Sequence, residues 1–438
     1  MSFFVQQFST FGFLFKSSPR RRAKFAIVNL MSENLSYDVI IVGAGASGLM
    51  CALQCARRGK KTLLLEKSAQ PGRKILVSGN GRCNLTNATV SAADYRGTPQ
   101  LAQAVLSQFS FQQCQTFFHA LGVLTRQEGL GRVFPATGKS TAVAEALRLA
   151  CLEAGVELRT GCEAVKIEKK KCFRVHLQNG ETLQGKYCVL ACGSQAYPQA
   201  GGSDSGYKLA RALGHSLTRI TPTLCALNVK EKAVARLQGI RAQVRAAAWR
   251  GTAQEVASEG EILFTNYGLS GPAILNISGP VVQALAQGPV RVEINFFPEI
   301  ADLPGFLHQR AEQFARRPAK EFFAGMLHEN IANLLIDFIG IKKSAPVGTW
   351  TENTRRQAAQ TLGAWPFTVL SARPWTEAMA AAGGVNCAEI NYNTLESLRC
   401  PGLYILGEML NVDGRSGGFN LHFAWSCGYV AAQAMPEE

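Results

Sequence analysis

The sequence of 438 residues predicts an α/β fold whose first domain is interrupted by other elements and is completed near the C-terminus. Three observations predict it: residues 37–66 read as strand, glycine turn, helix and strand, residues 216–363 change from short strands to helical spacing, and residues 401–435 return to strand, loop and helix. The expected parts are a basic extension at 1–35, the first domain at 36–215 and 364–438, a β-rich domain at 216–300 and a helical subdomain at 301–363.

The turn after the first strand carries the strongest single motif. Gly43, Gly45 and Gly48 follow a short apolar strand at the G-x-G-x-x-G spacing of a Rossmann-like dinucleotide site. Gly43 allows the tight turn, Gly45 leaves room for a pyrophosphate, and Gly48 lets the helix pack closely. The helix begins at Ala46 and Ser47, where free N–H groups and the positive end of the helix dipole face the phosphates.

Glu66 ends the second predicted strand, where its carboxylate can accept hydrogen bonds from both hydroxyls of a ribose. This position favours a free 2′-hydroxyl over a 2′-phosphate, and we include the adjacent Lys67 in the site. The alternative is an empty Rossmann-like fold in which the glycines only pack the helix. The motif alone does not choose between NAD and FAD.

Composition limits the class of protein. With 47% hydrophobic and 18% charged residues the chain is an ordinary globular protein, and no run approaches the roughly 18 apolar residues of a membrane span. The 13 cysteines are an odd number and form no C-x-x-C pair. We therefore expect no membrane segment, no disulfide framework and no metal site, and a reducing, cytoplasmic location.

Residues 1–30 stand apart because they hold five basic residues and no acidic one. They are either a basic targeting segment or the product of a start codon upstream of Met31. We favour the second, because the chain from Met31 runs at once into the first strand. The formal net charge is +15, of which +10 lies beyond this segment. Such an excess is expected for a protein with a polyanionic partner or for a merely basic enzyme.

Residues 71–87 are predicted to form a functional loop, because they are rich in glycine, Asn and basic residues and show little periodicity. Arg73 and Lys74 offer charge to phosphates. Cys83 is either a proton donor or a packed small hydrophobic residue. The backbone N–H groups expected near a ligand are those of Ser78, Gly79 and Asn80.

The next elements complete the first domain. A strand at 187–191 is followed by Gly193. A strand that returns to a glycine beside the dinucleotide is typical of a flavoprotein with a discontinuous nucleotide domain. The other predicted elements are helices at 101–121 and 141–154 and a β-meander at 156–159, 164–168, 172–177 and 182–183.

The C-terminal stretch gives a second cofactor signal. A strand at 403–406 is followed by Gly407 and Glu408, and Asp413 lies in the loop before an apolar helix. Free N–H groups at this helix start can hydrogen-bond a flavin carbonyl. A first βαβ unit and a last strand-loop-helix that serve one long cofactor favour FAD. The residues predicted to start the helix beside the cofactor are Gly417, Gly418, Phe419 and Asn420.

Five motifs together resemble those of the bacterial BaiN/RdsA-type flavoproteins, a family also labelled aminoacetone oxidase. They are PGRKILVSGNGRCNLTN, GRVFPATGKS, the stretch 197–215, FTNYGLSGPA and GLYILGEMLNVDGRSGGFN. The resemblance implies bound FAD, three parts and an interrupted nucleotide domain. It also implies flavin contacts at Gly43, Gly45, Gly48, Glu66, Arg73, Lys74, Gly407, Glu408, Gly418 and Asn420. The chain departs from the family pattern at Asn266, Ala381, Asn411, Phe419 and His422.

The activities linked to this family are reduction of dehydro bile acids, amine oxidation and dihydrouridine synthesis in large-subunit ribosomal RNA. Uracil and a dehydro-steroid enone both contain a C=C bond conjugated to a carbonyl, so both could accept a hydride at the β carbon and a proton at the α carbon. Cys83, His422 and Tyr197 are the candidate proton donors. NAD(P)H would be a transient electron donor, because the sequence has no second G-x-G-x-x-G.

Three functions therefore stay open. The first is reduction of uridine in ribosomal RNA held by a basic surface that includes Arg316, Arg317, Lys342 and Lys343. The second is reduction or oxidation of a small molecule, for which the charge is incidental. The third is a flavin-binding protein without catalysis.

Overall fold

The structure, a computed structural model, describes residues 36–437. The predicted basic extension at 1–35 lies outside the described residues. Within 36–437 no helix is both long and apolar enough to cross a membrane.

Although the predicted helix at 101–121 is two helices that break at 107–110, the first part of the chain combines strands and helices as the sequence predicts. Its elements are β1 (Ser36–Val42), α1 (Ala46–Arg57), β2 (Thr62–Glu66), α2 (Arg73–Gly81), β3 (Thr86–Asn87), β4 (Tyr95–Gly97), α3 (Pro99–Leu106), α4 (Phe111–Ala120), β5 (Thr125–Gln127), β6 (Arg132–Pro135), α5 (Thr141–Glu153), β7 (Glu157–Thr160), β8 (Ala164–Lys169), β9 (Phe173–Leu177), β10 (Thr182–Leu190) and α6 (Ser205–Ala212).

The second part holds short strands, then helices, then a return to strands and a long final helix. Its elements are β11 (Thr221–Thr223), β12 (Leu227–Val229), β13 (Arg241–Arg250), β14 (Ala253–Phe264), β15 (Gly268–Ser270), α7 (Pro272–Leu285), β16 (Val290–Asn295), α8 (Leu303–Gln313), α9 (Ala319–Phe322), α10 (Glu329–Phe338), α11 (Glu352–Gly363), β17 (Trp365–Ala372), β18 (Ala380–Ala382), β19 (Leu403–Ile405), β20 (Val412–Gly414) and α12 (Phe419–Ala434).

The main sheet has the order β7-β2-β1-β10-β9-β8, and β19 also pairs with β10. Strands β1, β2, β7, β10 and β19 pair in parallel, and β8 and β9 form an antiparallel extension. Both faces of β1 and β2 are buried, as their continuous apolar runs require. The sheet therefore brings the glycine turn after β1 beside the ends of β10 and β19.

Two strand predictions for this sheet are corrected. The predicted strands at 182–183 and 187–191 are one strand, β10, which pairs with β9 through its first half and with β1 and β19 further along. The first predicted strand of the meander, β7, pairs in parallel with β2 instead of with its neighbour in sequence. Local alternation of apolar residues does not specify which strand a segment pairs with.

The β-rich part is a closed antiparallel barrel of β12, β15, β14, β13, β16 and β17. Helices α8 to α11 pack on it, and Leu307, Leu335 and Leu362 share one apolar core with barrel residues such as Val292 and Phe367. Strand β17 follows these helices in sequence but closes the barrel between β12 and β16. Residues 365–372 are therefore part of the barrel and not of the segment 364–438 that the sequence assigned to the first domain.

The predicted loop at 71–87 is also corrected. Residues from Arg73 onward form α2, but the backbone leaves the helical conformation at Ser78, Gly79 and Asn80. The last two have φ values of 57° and 55°. The irregular backbone expected near a ligand is therefore confined to the end of α2 and the residues that follow it.

Candidate cofactor and substrate site

One cavity of about 1270 Å³ connects the first domain to the barrel. Its wall contains the glycine turn after β1, the end of α2, the start of α12, and residues of β13, β14 and α7. Pockets for drug-sized ligands occupy about 300–1000 Å³. This cavity therefore has room for a dinucleotide cofactor and a second molecule.

The three motif glycines have distinct surroundings in the glycine turn. A Cβ on Gly43 would lie 2.5 Å from the Ala191 carbonyl oxygen, and a Cβ on Gly48 would lie 1.8 Å from the Gly43 oxygen. A Cβ on Gly45 would meet no protein atom within 4 Å, because it would point into the cavity. Two of the glycines thus permit close backbone packing, and the third keeps the cavity open at the start of α1.

The start of α1 is suited to an anion. Gly45 caps the helix without a side-chain hydrogen bond, and the first turn contains no acidic residue. Ala46 and Ser47 line the cavity there. The N–H groups of this turn are available to a phosphate, which the positive end of the helix dipole also favours.

Glu66 is fixed at the end of β2 by two backbone amides. The Ala44 N–H donates to Oε2 at 2.9 Å, and the Ser68 N–H donates to Oε1 at 2.8 Å. Its carboxylate lines the cavity beside the glycine turn, where it can accept hydrogen bonds from ribose hydroxyls. Lys67 also lines the cavity and donates from Nζ to Ser203 Oγ at 2.6 Å.

A salt bridge joins α2 to the C-terminal segment across the cavity wall. Lys74 Nζ donates to Glu408 Oε2, and the Ala381 N–H donates to Glu408 Oε1 at 3.0 Å. Arg73 donates to the Gln199 carbonyl oxygen. These bonds hold the start of α2 against the segments that follow β10, β17 and β19.

The loop before α12 is shaped by two asparagines. Asn420 closes the loop, because its Oδ1 accepts from the Gly414 N–H at 2.8 Å and its Nδ2 donates to the Gly414 oxygen at 2.9 Å. Asn276 on α7 accepts from the Ser416 N–H and Oγ at 2.8 and 2.7 Å. The second interaction ties the barrel domain directly to the start of α12.

The structure brings most of the predicted cofactor residues to this cavity. Gly48 and Gly407 do not line it but support the glycine turn, since a Cβ on Gly407 would lie 3.0 Å from Ser47 Oγ. The residues that do line it are Gly43, Gly45, Ala46, Ser47, Glu66, Lys67, Arg73, Lys74, Ser78, Gly79, Asn80, Gly193, Glu408, Gly417, Gly418, Phe419 and Asn420.

The prediction that Asp413 contacts the cofactor is corrected, because its carboxyl is buried behind the cavity wall. Its residue is 4% exposed and does not line the cavity. Burial raises its pKa to about 6, against the opposing charge of Arg96 and with the added repulsion of Glu408. Sequence spacing placed Asp413 near the cofactor but could not reveal that β20 turns its side chain into the protein.

Two of the three candidate proton donors lie away from the cavity. Cys83 is fully buried, and burial raises the pKa of its thiol to about 12. His422 is also fully buried, between Thr86 Oγ1 at 2.7 Å and the Phe109 oxygen at 3.2 Å, and burial lowers its pKa to about 4. Tyr197 alone of the three lines the cavity.

Strained backbone is concentrated around the cavity. Six residues other than glycine have positive φ in the described part of the chain, and four of them line the cavity. Such conformations cost free energy and persist at functional sites where the surroundings enforce them. The four are Asn80, Leu130, Tyr197 and Leu224.

Several cavity residues were missed by the sequence analysis. Arg96, Arg132 and Arg245 line the cavity, are half-buried and form no ion pair with a carboxylate within residues 36–437. Asn276 also lines it. Barrel residues carry no cofactor motif, and only the tertiary fold brings β13 and α7 to the nucleotide domain.

This geometry fits FAD. The open side of Gly45, the fixed carboxylate of Glu66 and the uncapped start of α12 can hold the pyrophosphate, the ribose and the flavin end of one long molecule. The fold and the site define an FAD-dependent oxidoreductase.

The chain belongs to the family described as HI0933-like protein Rossmann domain, whose model matches residues 37–434. It is 33% identical over 410 residues to a 3-dehydro-bile acid delta(4,6)-reductase of Clostridium scindens, with coverage of 91% of this chain and 98% of that protein. It is 30% identical over 406 residues to a ribosomal RNA dihydrouridine synthase of Escherichia coli, again with coverage of 91% and 98%. The resemblance to the BaiN/RdsA-type flavoproteins is thereby confirmed.

A solved structure of 3-ketosteroid delta1-dehydrogenase from Sterolibacterium denitrificans aligns with 91% of this chain and 99% of that one. The sequence identity is 15% and the TM-score is 0.49.

Proposed function

We propose that the protein reduces a C=C bond conjugated to a carbonyl, and that its substrate is uridine in large-subunit ribosomal RNA. The observation that carries the proposal is a group of three half-buried arginines on the cavity wall, Arg96, Arg132 and Arg245. None of them forms a salt bridge among residues 36–437, although Asp413 and Glu128 are close enough for their charges to act on Arg96 and Arg132. Guanidinium groups at a cavity wall that form no salt bridge can bind phosphate or carbonyl oxygens.

The charge distribution supports an anionic partner on the first domain. Residues 36–215 contain 22 Lys and Arg against 11 Asp and Glu, whereas residues 301–363 contain 8 against 6. Arg317 in the helical part lies over the Phe314 ring at 3.8 Å, and Lys343 pairs with Asp337 at 3.2 Å. We therefore propose that RNA binds chiefly on the first domain, around the cavity, and less on the helices that the sequence analysis favoured.

The reaction needs two electrons and two hydrogens. A hydride adds to C6 of uracil and a proton to C5, which gives 5,6-dihydrouridine. FAD held by the glycine turn, Glu66 and the start of α12 would supply the hydride chemistry, with NAD(P)H as the transient electron donor. Arg245 and Asn276 lie on the barrel side of the cavity, where a guanidinium or amide N–H can donate to a uracil carbonyl. Tyr197 is the candidate proton donor that reaches the cavity.

The relatives support this chemistry. One relative is a 3-dehydro-bile acid delta(4,6)-reductase and another is a ribosomal RNA dihydrouridine synthase, and both activities reduce a C=C bond conjugated to a carbonyl. A small-molecule enone is therefore the second candidate substrate, favoured by the 33% identity to the bile acid reductase. All 13 cysteines are free, which suits a reducing cytoplasm.

The proposal is tested by incubating the FAD-loaded protein and NAD(P)H with large-subunit ribosomal RNA that lacks dihydrouridine, or with a 4-en-3-one steroid. We expect a mass increase of about 2 Da in one uridine, from two added hydrogens, and RNA affinity that weakens steeply with salt, since each phosphate contact on single-stranded RNA contributes about 0.7 to the log–log slope. If the protein reduces the steroid and does not bind RNA even at low salt, the RNA substrate is rejected and the small-molecule reductase is supported.

Two sets of variants locate the RNA contact. Replacement of Arg132 by Gln should lower the salt slope by about 0.7, because one phosphate contact is lost. Replacement of Arg245 by Gln should lower turnover and leave the slope unchanged, because its proposed contact is a uracil carbonyl. The comparison set is Arg316, Arg317, Lys342 and Lys343, each replaced by Gln. If only the second set of variants lowers the salt slope, the RNA-binding surface lies on the helical part instead.

A further inference from the structure

Leu130 lies at the mouth of the cavity, where the cavity wall meets solvent. Its side chain is 81% exposed, and its backbone has φ 62° and ψ 29°, in the left-handed region. Single exposed leucines are ordinary on protein surfaces. A leucine that is exposed, strained and part of a cavity wall needs an explanation, because glycine would fit the same backbone without strain.

The backbone on both sides of Leu130 is fixed by hydrogen bonds. Asn87 Nδ2 donates to the Leu130 oxygen at 3.1 Å and to the Gly417 oxygen at 2.9 Å. The Ala88 N–H donates to the Gly131 oxygen at 2.8 Å. The left-handed conformation is therefore enforced by β3 and by the loop before α12, while the side chain is held out in solvent.

The charge beside Leu130 suits a nucleic acid. Arg132 is two residues away and lines the same cavity, and its Nε donates to the Gly129 oxygen at 2.9 Å. This bond orients the guanidinium next to the leucine. The nearby Glu128 forms its salt bridge with Arg82, and Arg132 acts on it only through its charge. An apolar side chain beside an oriented arginine is complementary to the apolar faces of stacked bases and the phosphates that flank them.

We propose that Leu130 is a wedge that enters the base stack when the target uridine leaves it for the cavity. The inference rests on the RNA substrate proposed above. An enzyme that acts on a stacked base must unstack it, and an apolar side chain that takes the vacated place lowers the cost of doing so. Arg132 would hold the phosphate next to the vacated position.

The test uses the full-length FAD-loaded protein and the shortest RNA hairpin on which the wild type forms dihydrouridine. A 2-aminopurine beside the target uridine reports unstacking by its fluorescence, independently of turnover. A single strand of the same sequence removes the need to open a paired stack. The variants are Leu130→Ala and Leu130→Gly, the second of which also relieves the backbone strain. Leu398→Ala is the matched control, because Leu398 is 62% exposed and does not line the cavity.

We expect both Leu130 variants to keep their FAD content and to lose about tenfold in turnover on the hairpin, with at most a twofold loss on the single strand. The rise in 2-aminopurine fluorescence on binding should fall with the hairpin activity, and Leu398→Ala should behave as wild type. Wild-type hairpin activity in Leu130→Gly, or an equal loss on both RNAs, would overturn the wedge. Absence of dihydrouridine on every RNA with the wild type would instead overturn the RNA substrate itself.

Discussion

Replacement of Gly45 by Asp should separate cofactor binding from folding. A Cβ at this position meets no protein atom within 4 Å, and the residue has φ −82° and ψ −164°, which any amino acid can adopt. Gly45 also caps α1 without a side-chain hydrogen bond. Asp is a preferred cap and places negative charge at the positive end of the helix dipole. The FAD-free protein should therefore become about 0.5–1 kcal/mol more stable.

The same carboxylate would occupy the space that the pyrophosphate needs. Each charge-assisted hydrogen bond from a backbone N–H to a phosphate contributes about 1.5–3 kcal/mol, so the loss of two weakens FAD binding by about 3–6 kcal/mol, or roughly 10²- to 10⁴-fold. The assay is flavin absorbance per protein after purification and after reconstitution, together with the urea unfolding curve of each FAD-free protein.

Gly48→Ala is the matched contrast. Its Cβ would lie 1.8 Å from the Gly43 oxygen, so the turn must move, and overpacking of this kind costs about 1–3 kcal/mol or more. This variant should lose FAD and stability together. Gly45→Asp protein that retains FAD at the wild-type ratio, or that unfolds at lower urea than the FAD-free wild type, would refute the assignment of the glycine turn to the pyrophosphate.

Two further predictions concern buried titratable groups. Burial raises the pKa of Asp413 from 3.8 to about 6, so between these pH values the folded protein keeps a proton that the unfolded chain releases, and stability falls as the pH rises. Asp413→Asn should remove this loss, and its unfolding free energy relative to wild type should increase by about 3 kcal/mol at most from pH 4 to pH 7. Burial lowers the pKa of His422 from 6.5 to about 4, so its contribution has the opposite sign and is lost as the pH falls through that range. His422→Gln should gain up to about 3 kcal/mol relative to wild type from pH 7 to pH 4 and leave the shape of the pH–activity profile unchanged. Urea unfolding at a series of pH values measures both, and a difference that does not vary with pH would contradict the burial of the group concerned.

The sequence predicted the cofactor half of the site better than the substrate half. The glycine turn, Glu66 and the start of α12 are read from local patterns, because each lies at a strand end or a helix start that the neighbouring residues define. Arg245 on β13 and Asn276 on α7 reach the cavity through the closure of the barrel and its packing against the loop before α12. No local pattern specifies that closure, since strand partners are chosen by tertiary packing.

The sequence also could not predict which single polar residues are buried in the core. Cys83 and His422 lie in motif-rich stretches, yet the partners that define the pocket of His422 are Thr86 and Phe109, which are far away in sequence. Polar residues that are satisfied inside a core and polar residues that face a ligand give the same sequence signal. Only the hydrogen-bond partners in the fold separate them.

The two halves of the site are mechanically connected, and this connection limits how substrate specificity can change. Asn276 joins α7 to Ser416, and Asn87 joins the segment of Leu130 to Gly417, so the barrel wall and the cavity mouth both contact the loop that starts α12. Backbone and asparagine contacts hold this loop, whereas Arg132, Arg245 and Leu130 project their side chains into or beside the cavity. Replacement of those three side chains can alter the substrate without moving the loop, but replacement of Asn276 or Asn87 would shift the cofactor and substrate surfaces together. A set of relatives that includes a 3-dehydro-bile acid delta(4,6)-reductase and a ribosomal RNA dihydrouridine synthase should therefore vary at the first group of positions more freely than at the second.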